Sequence, residues 1–315
     1  MSNVFILCNY KNRKNSAYAL EQALKEHNIQ AYRCTPKTPP KKRIESATHL
    51  VGWGVTTLPV WWRRVRNEVR IINWPTNVAM SSHKVTMFEN MDRAHIPHLP
   101  YTTQRPTARE WMDAGEGVVV RALTRSHSGK GIQLLSPGDT IPRAPLYTKL
   151  YTGNRVREYR VYVVGGRAVD MTEKQRYSPA RLAEIGVDGD STNERLIRTH
   201  ANGWVFARGN LRVNEAAQRR LKQLAEQAAE SIHLGVCAVD LITETFTTRT
   251  FDDGTNIRNP QVVETNSAPS LTGDSNTCSA IARGLIRHFN IQPQRTSAVT
   301  IDFSRTFEQE DVNVS

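Results

Sequence analysis

The 315-residue sequence predicts an α/β (α+β) fold, and three features of the chain support this prediction. The chain opens with strand, helix and strand in alternation, which is typical of a parallel α/β unit. Strands in its middle are joined by short loops that contain glycine, which is typical of antiparallel hairpins. Two apolar strands near its end carry acidic side chains, which indicates a polar site on a buried sheet.

The composition is that of a globular protein, with 39% hydrophobic residues and a net charge of +12. No segment approaches the roughly 20 apolar residues of a membrane span, and the N-terminus lacks the basic start of a signal peptide. The four cysteines form no CxxC pair, which argues against a disulfide framework or a zinc site. We therefore expect a cytoplasmic protein.

The positive charge is concentrated in the first 80 residues, which hold 13 Lys and Arg against 4 Asp and Glu. The stretches 37–43 and 63–66 carry much of it. Such a region predicts a polyanionic partner, which would be a nucleic acid, an acidic peptide or a phosphorylated compound. The alternative is a solvated basic surface without a specific partner.

The chain is predicted to contain a small α/β domain over residues 1–80, two further units over 81–150 and 151–292, and a polar tail over 293–315. The first domain is predicted to have strands at 4–7, 31–33 and 49–54 and a helix over 15–27. It lacks the GxGxxG pattern, so no dinucleotide site is predicted.

The second unit is predicted to have a helix over 82–95 capped by Ser81 or Ser82, strands at 117–121 and 132–135, and an extended segment at 145–150. The third is predicted to have strands at 156–164 and 168–176 around a Gly165-Gly166 turn, a helix over 215–233 capped by Asn214, strands at 235–242 and 261–266, and a helix over 275–289.

A polar cluster is predicted on the last two strands. Asp240 interrupts an apolar strand, and Glu264 and Asn266 lie two residues apart, so that their side chains share one face. Buried carboxylates are costly unless they are paired or bound to a metal. Three hard oxygen donors on neighbouring strands suit Mg²⁺. The alternative is a hydrogen-bonded polar cluster without a metal.

A small basic loop separates the strands at 117–121 and 132–135. Its glycines allow backbone N–H groups to approach phosphate oxygens, and its lysine adds positive charge. The GxxxxGK[ST] spacing of a P-loop is absent, and a plain hairpin turn is the alternative interpretation. The loop consists of Ser126, His127, Ser128, Gly129, Lys130 and Gly131.

Several cations flank these elements. Lys84 lies near the start of a predicted helix, and Arg121 ends the strand before the basic loop. Arg160 shares one face of its strand with Glu158, so it either forms a structural pair with Glu158 or binds a phosphate or carboxylate bidentately. Further candidates on the return strand and in the polar loop after it are Lys174, Arg176, Asn193, Arg195, Arg198 and His200.

Over roughly residues 82–290, the order of these residues resembles the ATP-grasp superfamily. The family pattern is a lysine-bearing helix, a phosphate-binding residue before a glycine-rich loop, an adenine hinge, an arginine-bearing strand, an aspartate and an E-x-N motif. The run from Glu264 to Pro269 is similar to the family's E-x-N-x-x-P ending. The resemblance implies an ATP-grasp fold with an N-terminal Rossmann-like pre-grasp domain over residues 1–80.

The resemblance also implies roles for individual residues. Arg121 stands where the family usually has lysine, which changes the geometry of a phosphate contact, and Lys149 stands where the hinge usually has an acidic residue. ATP would contact Lys84, Arg121, the loop from Ser126 to Gly131, Tyr147, Lys149 and Leu150. One or two Mg²⁺ ions, with Mn²⁺ as an alternative, would bind Asp240, Glu264 and Asn266. The catalytic residues would be Arg160, Lys174 and Arg176.

Within the superfamily, the sequence is most similar to carboxylate–amine ligases of the ribosomal-protein glutamate ligase type. This implies ATP-dependent formation of an amide from a carboxylate and an amine through an acylphosphate. Several relatives form oligomers, so the resemblance is also compatible with a homo-oligomer. The +12 charge favours an acidic acceptor, such as a peptide or protein tail rich in Glu or Asp. Two alternatives stay open: a kinase that phosphorylates a polyanionic small molecule, and a nucleic-acid-binding protein with a degenerate ATP site.

Overall fold

The computed structural model contains three β-sheets with helices packed around and between them. This architecture confirms the predicted α/β (α+β) class. Several predicted features lie outside the described residues: the loop positions Ser126, His127, Ser128, Gly129 and Lys130, together with Asn193, most of the two basic stretches and the tail. The structure describes residues 3–9, 16–39, 44–62, 68–125, 131–191, 195–208, 211–247, 255–271 and 275–292.

The N-terminal sheet is parallel and has the strand order β2-β1-β3-β4. Helix α1 (Ser16–Glu26) connects the first two strands, as predicted, and packs on the sheet through an apolar face. The strands are β1 (Asn3–Cys8), β2 (Gln30–Cys34), β3 (His49–Trp53) and β4 (Arg70–Ile72). The sequence pattern does not predict β4, because a three-residue strand is too short to show an alternation of side chains.

Two consecutive helices follow this sheet, instead of the single helix predicted there. Helix α2 (Pro75–Ser82) begins at a proline and ends at His83, whose extended backbone interrupts the helix. The His83 side chain caps α3 (Lys84–Arg93) by accepting a backbone N–H (3.3 Å). The predicted caps Ser81 and Ser82 are wrong, because their hydroxyl groups donate hydrogen bonds to carbonyls within α2.

The second sheet is small and antiparallel, with the strand order β5-β8-β6-β7. Helix α4 (Arg105–Asp113) packs on one face, in a core that includes Tyr147. Arg121 projects from the other face together with Leu146, which belongs to the core of the third sheet. The strands are β5 (Tyr101–Thr102), β6 (Val118–Arg121), β7 (Ile132–Leu135) and β8 (Leu146–Lys149).

The third sheet is antiparallel, with the strand order β11-β10-β9-β12-β13. The predicted Gly165-Gly166 turn joins β9 to β10, and both glycines have positive φ angles of 59° and 74°. Its strands are β9 (Val156–Val164), β10 (Arg167–Arg176), β11 (Trp204–Ala207), β12 (Val236–Thr247) and β13 (Thr255–Asn266). The helices of this region are α5 (Pro179–Glu184), α6 (Glu215–Ser231), which Asn214 caps as predicted, and α7 (Ser275–Phe289).

The two faces of the third sheet have different surroundings. One face packs against α3 and α6 in a hydrophobic core. On the other face, the part around Tyr162 and Ala238 is covered by α7 and by the N-terminal sheet. The remainder of that face carries charged side chains and lies beside the second sheet. The fold therefore leaves one polar region between two sheets.

All four cysteines are buried and carry free thiols. Burial raises the pKa of the Cys237 thiol to about 12, so this group is protonated and unreactive at neutral pH. The helices in the described part of the chain are each too short or too polar to cross a membrane.

A buried side chain, Asn73, connects the N-terminal sheet to the third sheet. Its amide nitrogen donates to the carbonyl oxygens of Gly52 (3.1 Å) and Val236 (2.6 Å). Its amide oxygen accepts the N–H of Val236 (3.0 Å). Its backbone is left-handed (φ 59°), a conformation in which asparagine is enriched. Asn73 thereby satisfies buried backbone groups of both β3 and β12.

Replacing Asn73 by alanine should lower the free energy of unfolding by about 1–3 kcal/mol, because buried backbone groups would lose their partners. Urea unfolding measures this loss. Asn28→Ala is the matched control, since Asn28 is exposed and has the same φ of 59°. Equal losses in the two variants would assign the effect to the left-handed backbone and contradict the role of the hydrogen bonds.

Candidate functional site

The polar region of the third sheet is formed by Glu158, Arg160, Lys174, Asp240 and Glu264, which we call the charged face. Asp240 lies opposite Arg160 on one neighbouring strand and opposite Glu264 on the other. Residues opposite each other on antiparallel strands project to the same face of the sheet. Strand register therefore gathers charged side chains that are far apart in the sequence.

Arg160 and Asp240 form a buried bidentate ion pair. Nε of Arg160 donates to Oδ1 of Asp240 (2.7 Å), and Nη2 donates to Oδ2 (2.8 Å). The ring of Phe206 on β11 lies 3.9 Å from the guanidinium carbon. Burial alone would lower the pKa of Arg160, but the Asp240 carboxylate raises it above its ordinary value. Arg160 is thus a permanently charged group held by a carboxylate and by an aromatic ring.

Glu264 forms an ion pair with Lys84, the first residue of α3. The Lys84 Nζ atom lies 2.7 Å from Oε2 of Glu264, and the backbone N–H of Lys84 donates to the carbonyl of Thr124 (3.0 Å). Burial would raise the pKa of Glu264, but Lys84, followed by Arg160 and Arg121, holds this pKa well below its usual range. Helix α3 is thereby fixed against β13 and against the segment that follows β6.

The three predicted metal donors lie on this side of the sheet. Asp240 lies opposite Glu264, and the Asn266 oxygen accepts the N–H of Ala268 (3.1 Å). The Glu264 side chain is 32% exposed, whereas Asp240 is buried with both oxygens bonded to Arg160. Among the described residues, no three His, Cys, Asp or Glu side chains gather into a metal site. Two carboxylates and an amide nevertheless fit Mg²⁺, which takes one or two carboxylates and completes its shell with water and phosphate.

Lys174 and Glu158 form a second ion pair on this face. The predicted structural pair of Glu158 with Arg160 is not formed, since each has a different partner. Arg198 lies nearby, with its guanidinium 4.9 Å from the ring centre of Trp204 and a hydrogen bond to the carbonyl of Val156 (3.0 Å). Burial lowers the pKa of Arg198, although Glu158 opposes this effect.

Arg121 faces these carboxylates from the second sheet. It is 7% exposed, and its Nε atom is buried without a hydrogen bond to any residue that the structure describes. Burial lowers the pKa of Arg121, while Glu264 and Glu158 oppose this shift. A buried guanidinium with an unsatisfied N–H is costly, so its retention indicates a site for an anion. Gly131, the described end of the basic loop, has a positive φ (72°), and its carbonyl accepts the N–H of Ala122 (2.8 Å).

Replacing Arg121 by methionine should leave the free energy of unfolding unchanged or raise it by roughly 1–3 kcal/mol, because an incompletely paired buried charge is removed. The same change should weaken binding of ATP by about tenfold to a hundredfold, since a charge-assisted hydrogen bond is lost. Thermal unfolding and calorimetric titration measure the two effects. Arg143→Met, at an exposed arginine, is the control. Destabilisation with unchanged ATP binding would show that Arg121 is only structural.

Four other predicted site residues make structural contacts. The Tyr147 hydroxyl donates to the carbonyl of Pro142 (2.7 Å) in the core beneath α4, so its side chain points away from the charged face. The others are Lys149, which lies 3.4 Å from Glu116, Leu150, whose N–H donates to Gly117 (2.8 Å), and Arg176, which donates to the carbonyls of Gly189 (2.7 Å) and Asp188 (3.1 Å). Arg195 and His200 are exposed.

Sequence reasoning misses two aromatic residues of the site, Trp204 and Phe206. Both lie on β11, whose alternation of aromatic residues is a strand signal. Phe206 lies opposite Lys174 in the strand register, and its ring contacts both Lys174 (5.0 Å) and Arg160 (3.9 Å). The short strand could therefore be predicted, but its position beside β10 could not.

No known family model matches the sequence, and no curated protein is similar to it. Solved structures do resemble the chain. The ATP-grasp ligase PsnB, complexed with a minimal precursor, has a TM-score of 0.59 and 12% identity, covering 91% of this chain and 100% of that one. D-alanyl-alanine synthetase A from Vibrio cholerae has a TM-score of 0.55 and 13% identity, with coverages of 92% and 97%. The D-cycloserine synthetase DcsG has a TM-score of 0.55 and 15% identity, with coverages of 91% and 100%.

These likenesses extend over nearly the whole described chain, from the N-terminal parallel sheet to the third sheet. They agree with the observed arrangement, in which a small antiparallel sheet and a larger one enclose a charged region. The chain therefore has the ATP-grasp fold.

Proposed function

We propose that this protein is an ATP-dependent carboxylate–amine ligase that forms an amide through an acylphosphate. The observation that carries the proposal is an excess of positive charge on buried and half-buried side chains at one place. Among the residues that the structure describes, three carboxylates (Glu158, Asp240 and Glu264) are accompanied by five cations, which are Lys84, Arg121, Arg160, Lys174 and Arg198. A polyphosphate brings the negative charge that such a site lacks.

The cations belong to different parts of the fold and can hold phosphate groups from several sides. Lys84 and Arg121 lie on α3 and the second sheet, whereas Arg160 and Lys174 lie on the third sheet. Arg160 is held in place by Asp240 and Phe206, so little reorganisation is needed when charge develops on a transferring phosphoryl group. We assign to Arg160 and Lys174 the stabilisation of that group.

Glu264, Asp240 and Asn266 would hold Mg²⁺. The bound ion would neutralise negative charge on the phosphates of the nucleotide. Of the three, Glu264 is the most available, because its side chain is partly exposed and only Oε2 is bonded to Lys84. Binding of nucleotide phosphate would give Lys84 an alternative anionic partner. The carboxylate of Glu264 would then be free to serve the metal.

The proposed chemistry has two steps. An oxygen of the substrate carboxylate forms a bond to the γ-phosphorus as the bond to the ADP oxygen breaks, which gives an acylphosphate and ADP. The nitrogen of an amine then bonds to the acyl carbon as the carbon–oxygen bond to phosphate breaks, and the amine releases a proton. Neither step needs a nucleophile from the protein.

The names of the structural neighbours support a ligase over a kinase. PsnB is described as a ligase complexed with a minimal precursor, and the other two neighbours are named D-alanyl-alanine synthetase A and D-cycloserine synthetase, whereas none of the three is named a kinase. The basic first 80 residues favour an acidic acceptor, such as a peptide or protein tail rich in Glu or Asp. We propose this acceptor class for the present chain.

Transfer of ¹⁸O from a labelled carboxylate tests the mechanism. Acidic peptides with ¹⁸O in their carboxylates are screened with amino acids for ADP release, and the products are analysed by mass spectrometry. A ligase yields an amide and free phosphate that carries one labelled oxygen. A phosphorylated product with no free phosphate would establish the kinase alternative and overturn the proposal. Glu264→Gln should release ADP much more slowly in this assay, and Glu230→Gln, at an exposed position of α6, is its matched control.

A further inference from the structure

Exposed apolar side chains gather beside the N-terminal sheet, outside the charged face. The described part of the chain has six large apolar side chains with high exposure, and three of them lie here: Val60 (83%), Leu58 (52%) and Trp74 (42%). The half-buried Trp62 comes from the same loop as Leu58 and Val60, and its ring centre lies 5.4 Å from that of Trp74. We call these four side chains the apolar patch. Exposed apolar surface of this kind marks interaction sites.

The loop that carries most of the apolar patch is fixed to the rest of the N-terminal sheet. The N–H of Val60 donates to the carbonyl of Pro36 (3.2 Å), and Nε1 of Trp61 donates to the carbonyl of Thr35 (2.9 Å). Trp61 is 5% exposed and packs into the core on one face of the sheet. A surface that is already held in place loses little conformational entropy when a partner binds to it.

The apolar patch lies at the carboxyl edge of the parallel N-terminal sheet. Leu58, Val60 and Trp62 are in the loop after β3, and Trp74 directly follows the end of β4 and precedes α2. Open parallel sheets bind their ligands outside the carboxyl ends of the strands. The position of the patch in the topology is therefore that of a binding edge.

This edge adjoins the end of β13 that carries Asn266. A methyl group added to Gly54, the residue after β3, would lie only 2.8 Å from the side chain of Ala268, two residues beyond Asn266. Leu58 follows Gly54 by four residues, so their Cα atoms are separated by at most roughly 14 Å. A peptide of a few residues can therefore extend from the apolar patch toward the charged face.

The sequence around the apolar patch is strongly basic. The segments after β2 and β3, residues 35–43 and 54–67, contain no Asp or Glu and seven cationic residues, which are Lys37, Lys41, Lys42, Arg43, Arg63, Arg64 and Arg66. Lys37 is exposed and follows Pro36, whose carbonyl binds the loop of the patch. Apolar side chains with a basic surrounding are complementary to a partner that is apolar in places and acidic elsewhere.

This charge favours an acidic peptide over the other occupants of such a surface. In a symmetric dimer the patch would face its own copy, and each set of cations would face the same cations. A nucleic acid would supply negative charge, but it binds by stacking its bases on aromatic rings. The two most exposed side chains of the patch, Val60 and Leu58, are aliphatic and offer no such platform.

We propose that the apolar patch docks an apolar segment of an acidic peptide, at a distance from the carboxylate that reacts. Leu58, Val60, Trp62 and Trp74 bind the apolar side chains, and the basic segments attract the acidic residues on either side. The inference rests on the proposed function, because the docked peptide is the acceptor of the ligase. It adds a second recognition surface, which selects acceptors by a feature other than the modified residue.

Fluorescence anisotropy of the full chain with labelled peptides tests the proposal. One probe is a glutamate-rich peptide that contains a leucine–phenylalanine pair, and the other has two serines in place of the pair. Wild type should bind the first probe roughly tenfold more tightly, because burial of apolar side chains is lost in the second. Leu58→Ser/Val60→Ser should reduce this ratio to below threefold. Ile185→Ser/Leu196→Ser, at two similarly exposed apolar residues elsewhere, is the matched control and should keep the ratio.

The contrary outcomes are distinct. Failure of wild type to bind either peptide, equal binding of both peptides by wild type, or an unchanged ratio in Leu58→Ser/Val60→Ser overturns the docking surface. A wild-type dimer in light scattering that Val60→Asp dissociates would assign the patch to a second copy. A labelled single-stranded oligonucleotide that binds more tightly than the apolar peptide, and less tightly to Leu58→Ser/Val60→Ser, would assign it to nucleic acid.

A separate readout keeps this proposal apart from the proposed function. The rise in Tm with ATP and Mg²⁺ should be the same in wild type and in Leu58→Ser/Val60→Ser, because the apolar patch lies outside the charged face. A normal rise in Tm together with failed docking overturns the docking surface alone. Absence of the rise in wild type overturns the ligase. Thermal unfolding without ligand confirms that each variant is folded before its peptide binding is compared.

Discussion

Replacing Glu264 by glutamine should reduce ATP turnover by roughly 10²–10³-fold, which corresponds to about 3–4 kcal/mol of lost transition-state stabilisation. Glutamine keeps the size of the side chain but removes the charge. In the structure, the Glu264 carboxylate accepts a hydrogen bond from Lys84 and lies opposite Asp240 in the strand register. It is the most exposed carboxylate of the charged face. Loss of the charge removes a hard ligand for Mg²⁺ and the partner that positions Lys84.

ADP release at saturating ATP measures this effect, with Glu230→Gln as the control at an exposed glutamate. The stability of Glu264→Gln should change less than its activity, because the Glu264 side chain is partly exposed. Wild-type turnover in this variant would contradict the assignment of Glu264 to the reaction.

Replacing Asp240 by asparagine should lower the free energy of unfolding by about 3–5 kcal/mol, since it leaves the buried guanidinium of Arg160 without a countercharge. Both oxygens of Asp240 accept hydrogen bonds from Arg160, and both residues are buried, at 2% and 7% exposure. An asparagine can accept at one position only, and its NH₂ group would face a donor at the other.

The double variant Arg160→Met/Asp240→Leu should recover much of this stability, because replacing a whole buried ion pair by apolar residues is often neutral or stabilising. It should not recover activity, because Arg160 is assigned to the transferring phosphoryl group. Urea unfolding of the single and double variants measures the coupling, with Asp113→Asn as the exposed control. If Asp240→Asn were as stable as wild type, Arg160 and Asp240 would not form a buried ion pair whose disruption destabilises the protein.

Much of the fold could be predicted because its main elements carry strong local patterns. The strand–helix–strand start, the Gly165-Gly166 turn and the Asn214 cap are all encoded within a few residues. Elements with short or polar sequences, such as β4, β5 and α4, give no comparable signal. The break between α2 and α3 at His83 could not be predicted, because histidine also occurs within uninterrupted helices. The proline at the start of α2, however, is a signal that a helix begins before residue 82.

The candidate site could be predicted in part. Alternation along β12 and β13 indicates that acidic side chains project from a buried sheet, and strand register brings Asp240 opposite Glu264. The partners could not be predicted, because Lys84 and Glu264 are separated by 180 positions and Arg160 and Asp240 by 80. Local patterns contain no information about such long-range pairing. For the same reason, sequence reasoning names Arg160 but not the aromatic ring beneath it.

The most direct test of the central claim is the thermal stability of the protein with and without Mg²⁺ and ATP, compared between wild type and Glu264→Gln. A ligand that binds only the folded state, at 100 times its Kd, stabilises a protein by about 2.7 kcal/mol. Wild type should show a magnesium-dependent rise in Tm that Glu264→Gln largely loses. If wild type showed no rise at millimolar ATP and Mg²⁺, the charged face would not be a nucleotide site, and the proposed ligase would be contradicted.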